Sequence, residues 1–220
     1  EYRPARCLLE RCVVLRKKLG DTTGLAHALN NLGIVFSEMG DFETGRALYS
    51  RSLELKRSAG DRVGSARTLG NLSICLFVLG DLAGAREAAT EAMATARSVG
   101  SGGLPVAALD VSANIAEVSG DPETAERLYH QSLELARAHG WVEEVALCTR
   151  AIGNLRRVQG DFDGAAHWLG DSLRMEREIG SRRSMAQALT LEAELDLARR
   201  DGDTARAHLE EALELLADEG

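Results

Sequence analysis

The chain has 220 residues, of which 45% are hydrophobic but only 4% aromatic, and it carries 34 acidic against 26 basic side chains for a formal charge of −8. An acidic chain with no basic run repels nucleic-acid phosphate, and no stretch reaches the roughly 18 uninterrupted apolar residues that a membrane span requires, so direct nucleic-acid binding and membrane insertion are both set aside. No leader of charged, apolar and small segments opens the chain, and a cytoplasmic location is expected.

In chain order the pattern predicts a lone helix at about 2–19 and then helix hairpins at about 22–59, 62–99, 102–139, 142–179 and 182–218. Glycine stands at 20, 40, 60, 80, 100, 120, 140, 160, 180 and 220, broken at Arg200, and Asp follows it at 21, 41, 61, 81, 121 and 161. A glycine that closes one helix in the left-handed conformation, followed by an Asp that caps the next, folds an amphipathic chain back on itself. Pro122 falls at a first helical position, where its missing amide costs nothing, and Pro4 and Pro105 also lie near helix starts. Ser101-Gly102-Gly103 lacks the capping Asp, so a late helix start and a loose joint are expected there.

The true period is forty, because two successive helices differ and then repeat. Small residues recur at Gly33, Ser73, Ala113, Gly153 and Ala193 in the first helices. In the second helices they recur at Ala5, Gly45, Ala85, Ala125, Ala165 and Ala205. A third row, Cys12, Ser52, Ala92, Ser132, Ser172 and Ala212, is followed each time by an apolar partner: Val13, Leu53, Met93, Leu133, Leu173 and Leu213. Such rows predict an all-α ladder of antiparallel helices and one solenoid over 1–220, with a half-repeat at 1–20 and repeats at about 21–60, 61–100, 101–140, 141–180 and 181–220. Residue 1 is not methionine and the chain opens inside a repeat, so a fragment of a longer protein is expected. Arginine far outnumbers lysine, which occurs only at 17, 18 and 56 and, with the many Ala and Gly residues, hints at a GC-rich bacterial source.

Reactive side chains are scattered. Cys7, Cys12, Cys75 and Cys148 form no CxxC pair and have no histidine at metal-ligand spacing, so reduced, structural thiols and no metal are expected. His27, His130, His139, His167 and His208 lie on separate helices or turns, and no glycine-rich phosphate loop occurs. Glu143-Glu144 and Glu210-Glu211 fit solvated helix faces. No catalytic residue and no cofactor is assigned.

The segment Leu29-x-x-Leu32-Gly33-x-x-Phe36, then Gly40-Asp41-Phe42 and Gly45-x-x-x-Tyr49, resembles the tetratricopeptide repeat, with its W-x2-L-G-x2-Y and A-x3-F signature. Ile152-Gly153 with Ala165-x-x-x-Leu169, and Ala125-x-x-x-Tyr129, echo it. The forty-residue unit departs from the usual length of roughly thirty-four and lacks the signature proline. It is similar to the repeats of kinesin light chains, of spindle-orientation adaptors, and of the sensor arrays of bacterial signal-transduction ATPases (STAND proteins) and LuxR-type or SARP-type regulators.

The resemblance implies a right-handed α-solenoid whose first helices line a concave groove for a protein or peptide ligand. Carried over residue by residue, the groove set is Asn30, Asn31, Arg67, Asn71, Phe77, Asp110, Asn114, Arg150, Asn154 and Arg157, accompanied by His27, Ile34, Glu38, Ile74, Val78, Glu117, Val118, Val158, Gln187, Thr190 and Glu194.

Two roles stand open for the asparagines. Asn31 and Asn71 are equivalent by period, as are Asn114 and Asn154; an amide can clamp a ligand's peptide unit through its donor and acceptor, or bond between neighbouring repeats. Arg67, Arg150 and Arg157 either grip a carboxylate or pair internally with Asp110, Glu117 and Glu194, and internal pairing is expected. Val78, Val118 and Val158 are expected to pack between adjacent helices, whereas Phe77, alone at its repeat position, fits an anchor for a ligand side chain. Trp168 is expected in the core, and Trp141, in place of a turn Asp, partly exposed.

Two functions fit this pattern: a scaffold that binds a peptide or helix in its groove, or the effector-sensing arm of a larger bacterial regulator, with a rigid spacer as the blander option. The flank of the first half-repeat also invites self-association.

Overall fold

The computed structural model describes residues 2–99 and 106–217. Eleven helices and no strand occur among them: α1 (Tyr2–Lys18), α2 (Thr22–Glu38), α3 (Phe42–Ser58), α4 (Arg62–Val78), α5 (Leu82–Ser98), α6 (Val106–Val118), α7 (Pro122–His139), α8 (Val142–Val158), α9 (Phe162–Ile179), α10 (Arg182–Ala198) and α11 (Gly202–Ala217). The joint expected at Ser101-Gly102-Gly103 lies outside the described residues.

Local chemistry accounts for the turns. Asp21, Asp41, Asp61, Asp81, Asp121 and Asp161 each accept the amide three residues on, at 2.8 to 3.1 Å, and so cap the following helix. The residue before each cap is a glycine with φ between +69 and +84. At the first full hairpin, Gly40 and Asp41 donate their amides back to the carbonyls of Ser37 and Phe36 at 3.0 and 2.9 Å, closing the end of α2. Arg200 stands where the glycine period breaks, yet takes the same left-handed conformation with φ 67, and Asp201 still caps Thr204 at 3.1 Å. Trp141 precedes α8 without a side-chain cap; its indole instead stacks on His139, with ring centroids 4.5 Å apart.

The chain divides into two compact units, Glu1–Val118 and Ser119–Gly220. In the first, α2/α3 and α4/α5 form hairpins, α1 packs on α2, and α6 packs on α4 and α5. Their core joins Leu53, Leu69, Ala85, Ala89, Ala92, Ala108, Val111 and Ile115. In the second, α8/α9 and α10/α11 are hairpins, α7 packs on α8, and α9 on α10. Leu173, Ala186, Leu189 and Ala212 form one core cluster, and Ala165, Leu169 and Leu195 another. With so much alanine at the contacts, helices approach closely and each buries a narrow stripe.

The small rows occupy those contacts. Ser73, Ala113, Ala193, Ala85, Ala125 and Ala165 are all buried. In the third row, Ser52 donates its hydroxyl to the carbonyl of Ala26 at 2.7 Å, and its period mate Ser172 donates to Ala146 at 3.1 Å, each stitching a second helix to the first helix of its hairpin. The apolar partners Leu53, Leu133 and Leu173 are buried as well, but Leu213 is 67% exposed, because no helix follows α11 among the described residues. Trp168 departs from the expected core position: it is half-buried, edge-on to His130 at 5.8 Å. Cys75 and Cys148 are buried thiols, whereas Cys7 is exposed on α1 rather than packed.

Candidate functional site

On a helix, residues four, seven and eleven apart share a face. In the first unit that geometry gathers His27, Asn31, Ile34 and Glu38 on α2 and Arg67, Asn71, Ile74 and Val78 on α4; all are exposed except half-buried Asn71. Thr68 donates its hydroxyl to the Asn30 side-chain oxygen at 3.0 Å, holding α4 directly beside α2. On α6, Asn114 and Glu117 are half-buried and Val118 is exposed.

Burial separates the expected contact residues. Asn30 is 5% exposed and bonded to Thr68, so it bridges neighbouring repeats and is corrected out of the contact set. Asp110 is also buried and leaves that set. Phe77 is half-buried and packs against the core of the first unit, so its ring serves packing as well as any surface role. The valine row is a correction in the other direction. Val78, Val118 and Val158 are 51%, 62% and 61% exposed, so they do not pack between helices as expected.

Charge sorts the arginines. In the second unit, Arg150 is half-buried, lies 3.5 Å from the Glu176 carboxylate and donates to the carbonyl of Ser184 at 3.1 Å. Burial pushes the Arg150 guanidinium down and the Glu176 carboxyl up, each offset in part by the other. Arg157 donates to Asn154 at 2.8 Å and pairs with Glu194 at 2.8 Å, which engages that asparagine's oxygen within the chain. Both arginines are therefore internal partners. Arg67 is different: it is exposed on α4 and has no hydrogen bond or ion pair among the described residues. The exposed Leu147 on α8 escaped the sequence reading. Its signal was the repeat column itself, because it is the period mate of His27 and Arg67.

Residues 24–98 match the family model described as tetratricopeptide repeat. No curated protein matches the chain. Solved structures do: BtubC (BKLC) from P. vanneervenii is similar over 99% of this chain and 92% of that one, at 18% identity and a TM-score of 0.72. A Rap protein complexed with competence and sporulation factor matches 89% of this chain at 15% identity and a TM-score of 0.79, and this chain spans 54% of it. The Rap conjugation gene regulator of the plasmid pLS20, in complex with the Phr peptide, matches 99% of this chain and 69% of that one, at 15% identity and a TM-score of 0.72. At such identities the likeness speaks for the fold. The family match across residues 24–98, the forty-residue period and the helix-hairpin fold shared with these structures support a tetratricopeptide repeat array.

Proposed function

We propose that the chain is a non-catalytic interaction scaffold that takes an extended peptide or a helix on the exposed face of its first helices. One observation carries this reading: α2 and α4 sit side by side and present amides and apolar groups together, Asn31 and Asn71 beside Ile34, Ile74 and Val78, with Arg67 as an uncompensated cation. Amides supply donor and acceptor to a ligand backbone, branched apolar side chains remove water from its side chains, and a guanidinium favours a carboxylate. In the second unit, Asn154 and Arg157 on α8, bonded to each other, form a separate polar patch near Val158. Asn114 on α6 adds an amide to the first unit's face. Two structurally similar Rap proteins are described in complex with competence and sporulation factor and with the Phr peptide, which supports a peptide-sized ligand for this chain as well.

A second reading is the effector-sensing arm of a larger bacterial regulator. It is favoured by the likeness to a Rap conjugation gene regulator, of which this chain spans 69%.

The test is selection from a phage-displayed library of random linear peptides, with the Asn31→Ala/Asn71→Ala variant as counter-screen. Asn31 is exposed and Asn71 half-buried, and thermal melting checks that the variant keeps its fold. Peptides enriched by the natural chain and lost by the variant support the scaffold reading. No enrichment, or enrichment that the variant retains, rejects that face as the site.

A further inference from the structure

A hydrogen-bonded chain joins a buried cation to the exposed face of α2. Lys56 on α3 is 3% exposed and has no ion pair among the described residues; its ammonium donates to the Thr68 hydroxyl at 2.7 Å and to the Gly64 carbonyl at 3.4 Å. Thr68 on α4 donates in turn to the Asn30 side-chain oxygen at 3.0 Å. The Asn30 amide nitrogen then donates to the Asn31 side-chain oxygen at 3.4 Å. One relay thus starts in the core on α3, crosses α4 and ends at a solvent-exposed residue of α2.

The cation fixes the direction of every bond. An ammonium has donors only, so the Thr68 oxygen accepts from it and the hydroxyl proton is left for Asn30. Asn30 must turn its oxygen to Thr68 and its NH2 to Asn31, and Asn31 answers with its own oxygen. The other branch of the Asn31 amide, its NH2, is left for a ligand. Asn71, the period mate of Asn31, has no hydrogen bond among the described residues and keeps both branches. In the second unit the same repeat positions hold Glu176, Ala188, Arg150 and Ala151 in place of Lys56, Thr68, Asn30 and Asn31. There Arg150 meets Glu176 directly at 3.5 Å, and no such relay can form.

The groups that this relay and Arg67 turn outward are donors, and donors need acceptors on the ligand. An extended segment offers backbone carbonyls along its whole length, whereas a helix spends them on its own ladder except in its last turn. We infer that Lys56 is a positioning residue for the peptide-binding face: through Thr68 and Asn30 it holds Asn31 with its NH2 outward, so that this face grips a backbone carbonyl of an extended peptide and not the flank of a helix. The inference rests on the reading of α2 and α4 as the ligand face, but the orientation of Asn31 is testable with no ligand at all.

The first arm uses the free chain. With isotopic labelling, nuclear magnetic resonance follows the side-chain amides of Asn30 and Asn31 in the natural chain, in Lys56→Met and in Thr68→Val, a second cut in the relay; melting checks each fold. In the natural chain the Asn31 NH2 exchanges with water about tenfold or more faster than the Asn30 NH2, which is bonded internally. In either variant the Asn31 side-chain signals double or shift, because its amide now samples both orientations, although Asn31 lies on a different helix and faces solvent. An Asn31 NH2 as protected as that of Asn30, or Asn31 signals that neither variant moves, overturns the inference.

The second arm measures affinity for uncharged linear peptides that the natural chain enriches from the random library. Asn31→Asp keeps an oxygen toward Asn30 but sets an acceptor where the NH2 stood, so affinity falls by about tenfold or more, below that of Asn31→Ala. Lys56→Met loses about two- to threefold, since about half of its Asn31 amides face the wrong way. Transferred nuclear Overhauser effects show the bound peptide extended. Asn31→Asp that binds as well as Asn31→Ala, or a peptide that is helical when bound, overturns the inference. A library that enriches nothing rejects α2 and α4 as a ligand face, and the free-chain arm still decides whether Lys56 orients Asn31.

Discussion

The ring of Tyr49 lies against the bare backbone of Gly33: a Cβ added at Gly33 would stand 2.8 and 2.9 Å from two ring carbons. Real side chains do not approach so closely, so in α2 this glycine sets the distance to α3. Gly153 repeats the relationship three periods on, where a Cβ would meet a Leu169 methyl at 2.9 Å and the Leu169 amide nitrogen at 3.1 Å. Gly33→Ala therefore forces the buried Tyr49 ring out of its place, costing about 1–3 kcal/mol, offset by about 1 kcal/mol of improved helix propensity. The expected net loss of up to about 2 kcal/mol lowers the melting temperature by up to about 8 °C at this chain length. In a Tyr49→Leu background the same alanine should have a smaller effect. A variant that melts at or above the natural chain would show that the ring can yield without cost.

Arg200 gives a prediction of the opposite sign. Its φ of 67 places a side chain in the left-handed region that glycine occupies at eight other turns, at a cost of about 1–2 kcal/mol. Arg200→Gly removes that cost but loosens the unfolded chain by about 0.4–1 kcal/mol. Thermal unfolding should show a gain of about 1 kcal/mol, whereas a destabilised variant would mean that the Arg200 side chain has a stabilising role that outweighs its backbone strain.

The contrast between these two sites shows where the fold was legible. Turns read directly, because a left-handed residue and a helix cap each favour particular residue types at one position, and even the break at Arg200 left Asp201 to mark its turn. Small rows read almost as well, since close helix approach admits few side chains. The exposed face was harder. Val78, Val118 and Val158 form a regular row whether they face a neighbouring helix or water, and a period reports equivalence, not burial. Asn30 and Asn31 are adjacent in sequence, yet one bridges to Thr68 while the other faces solvent. Only the rotation of α2 against α4 separates them.

Glu176 is 4% exposed beside Arg150. Removing one partner of a buried pair leaves the other desolvated and uncompensated, typically at a cost of about 3–5 kcal/mol. Arg150 keeps its bond to the Ser184 carbonyl, so Glu176→Ala is expected near the lower end of that range, about 3 kcal/mol in urea unfolding. Replacing both residues with apolar side chains of similar volume should recover most of the loss. A single variant that loses less than about 1 kcal/mol would mean that water reaches Arg150 and that the pair behaves as an exposed one.

Lys56 occupies the same repeat position as Glu176 in the first unit and is 3% exposed, with its ammonium donating to the Thr68 hydroxyl at 2.7 Å and the Gly64 carbonyl at 3.4 Å. Burial pushes its pKa below the ordinary 10.5; Asp61 opposes this and Arg67 adds to it. A lysine whose folded pKa is depressed releases its proton more readily when folded, so the cost of burying its charge is fully present below the folded pKa. That cost fades as pH rises through the folded pKa, and it is gone above 10.5, where the folded and unfolded states are both neutral. Lys56→Met keeps the chain length and removes the charge, while Thr68 retains its bond to Asn30. The variant should therefore melt higher than the natural chain at pH 7, and its advantage should shrink as pH rises through the depressed folded pKa of Lys56 toward 10.5. An advantage that is constant with pH would place the effect in packing, and a variant less stable at pH 7 would show that the bonds from Lys56 to Thr68 and Gly64 outweigh the desolvation of its charge.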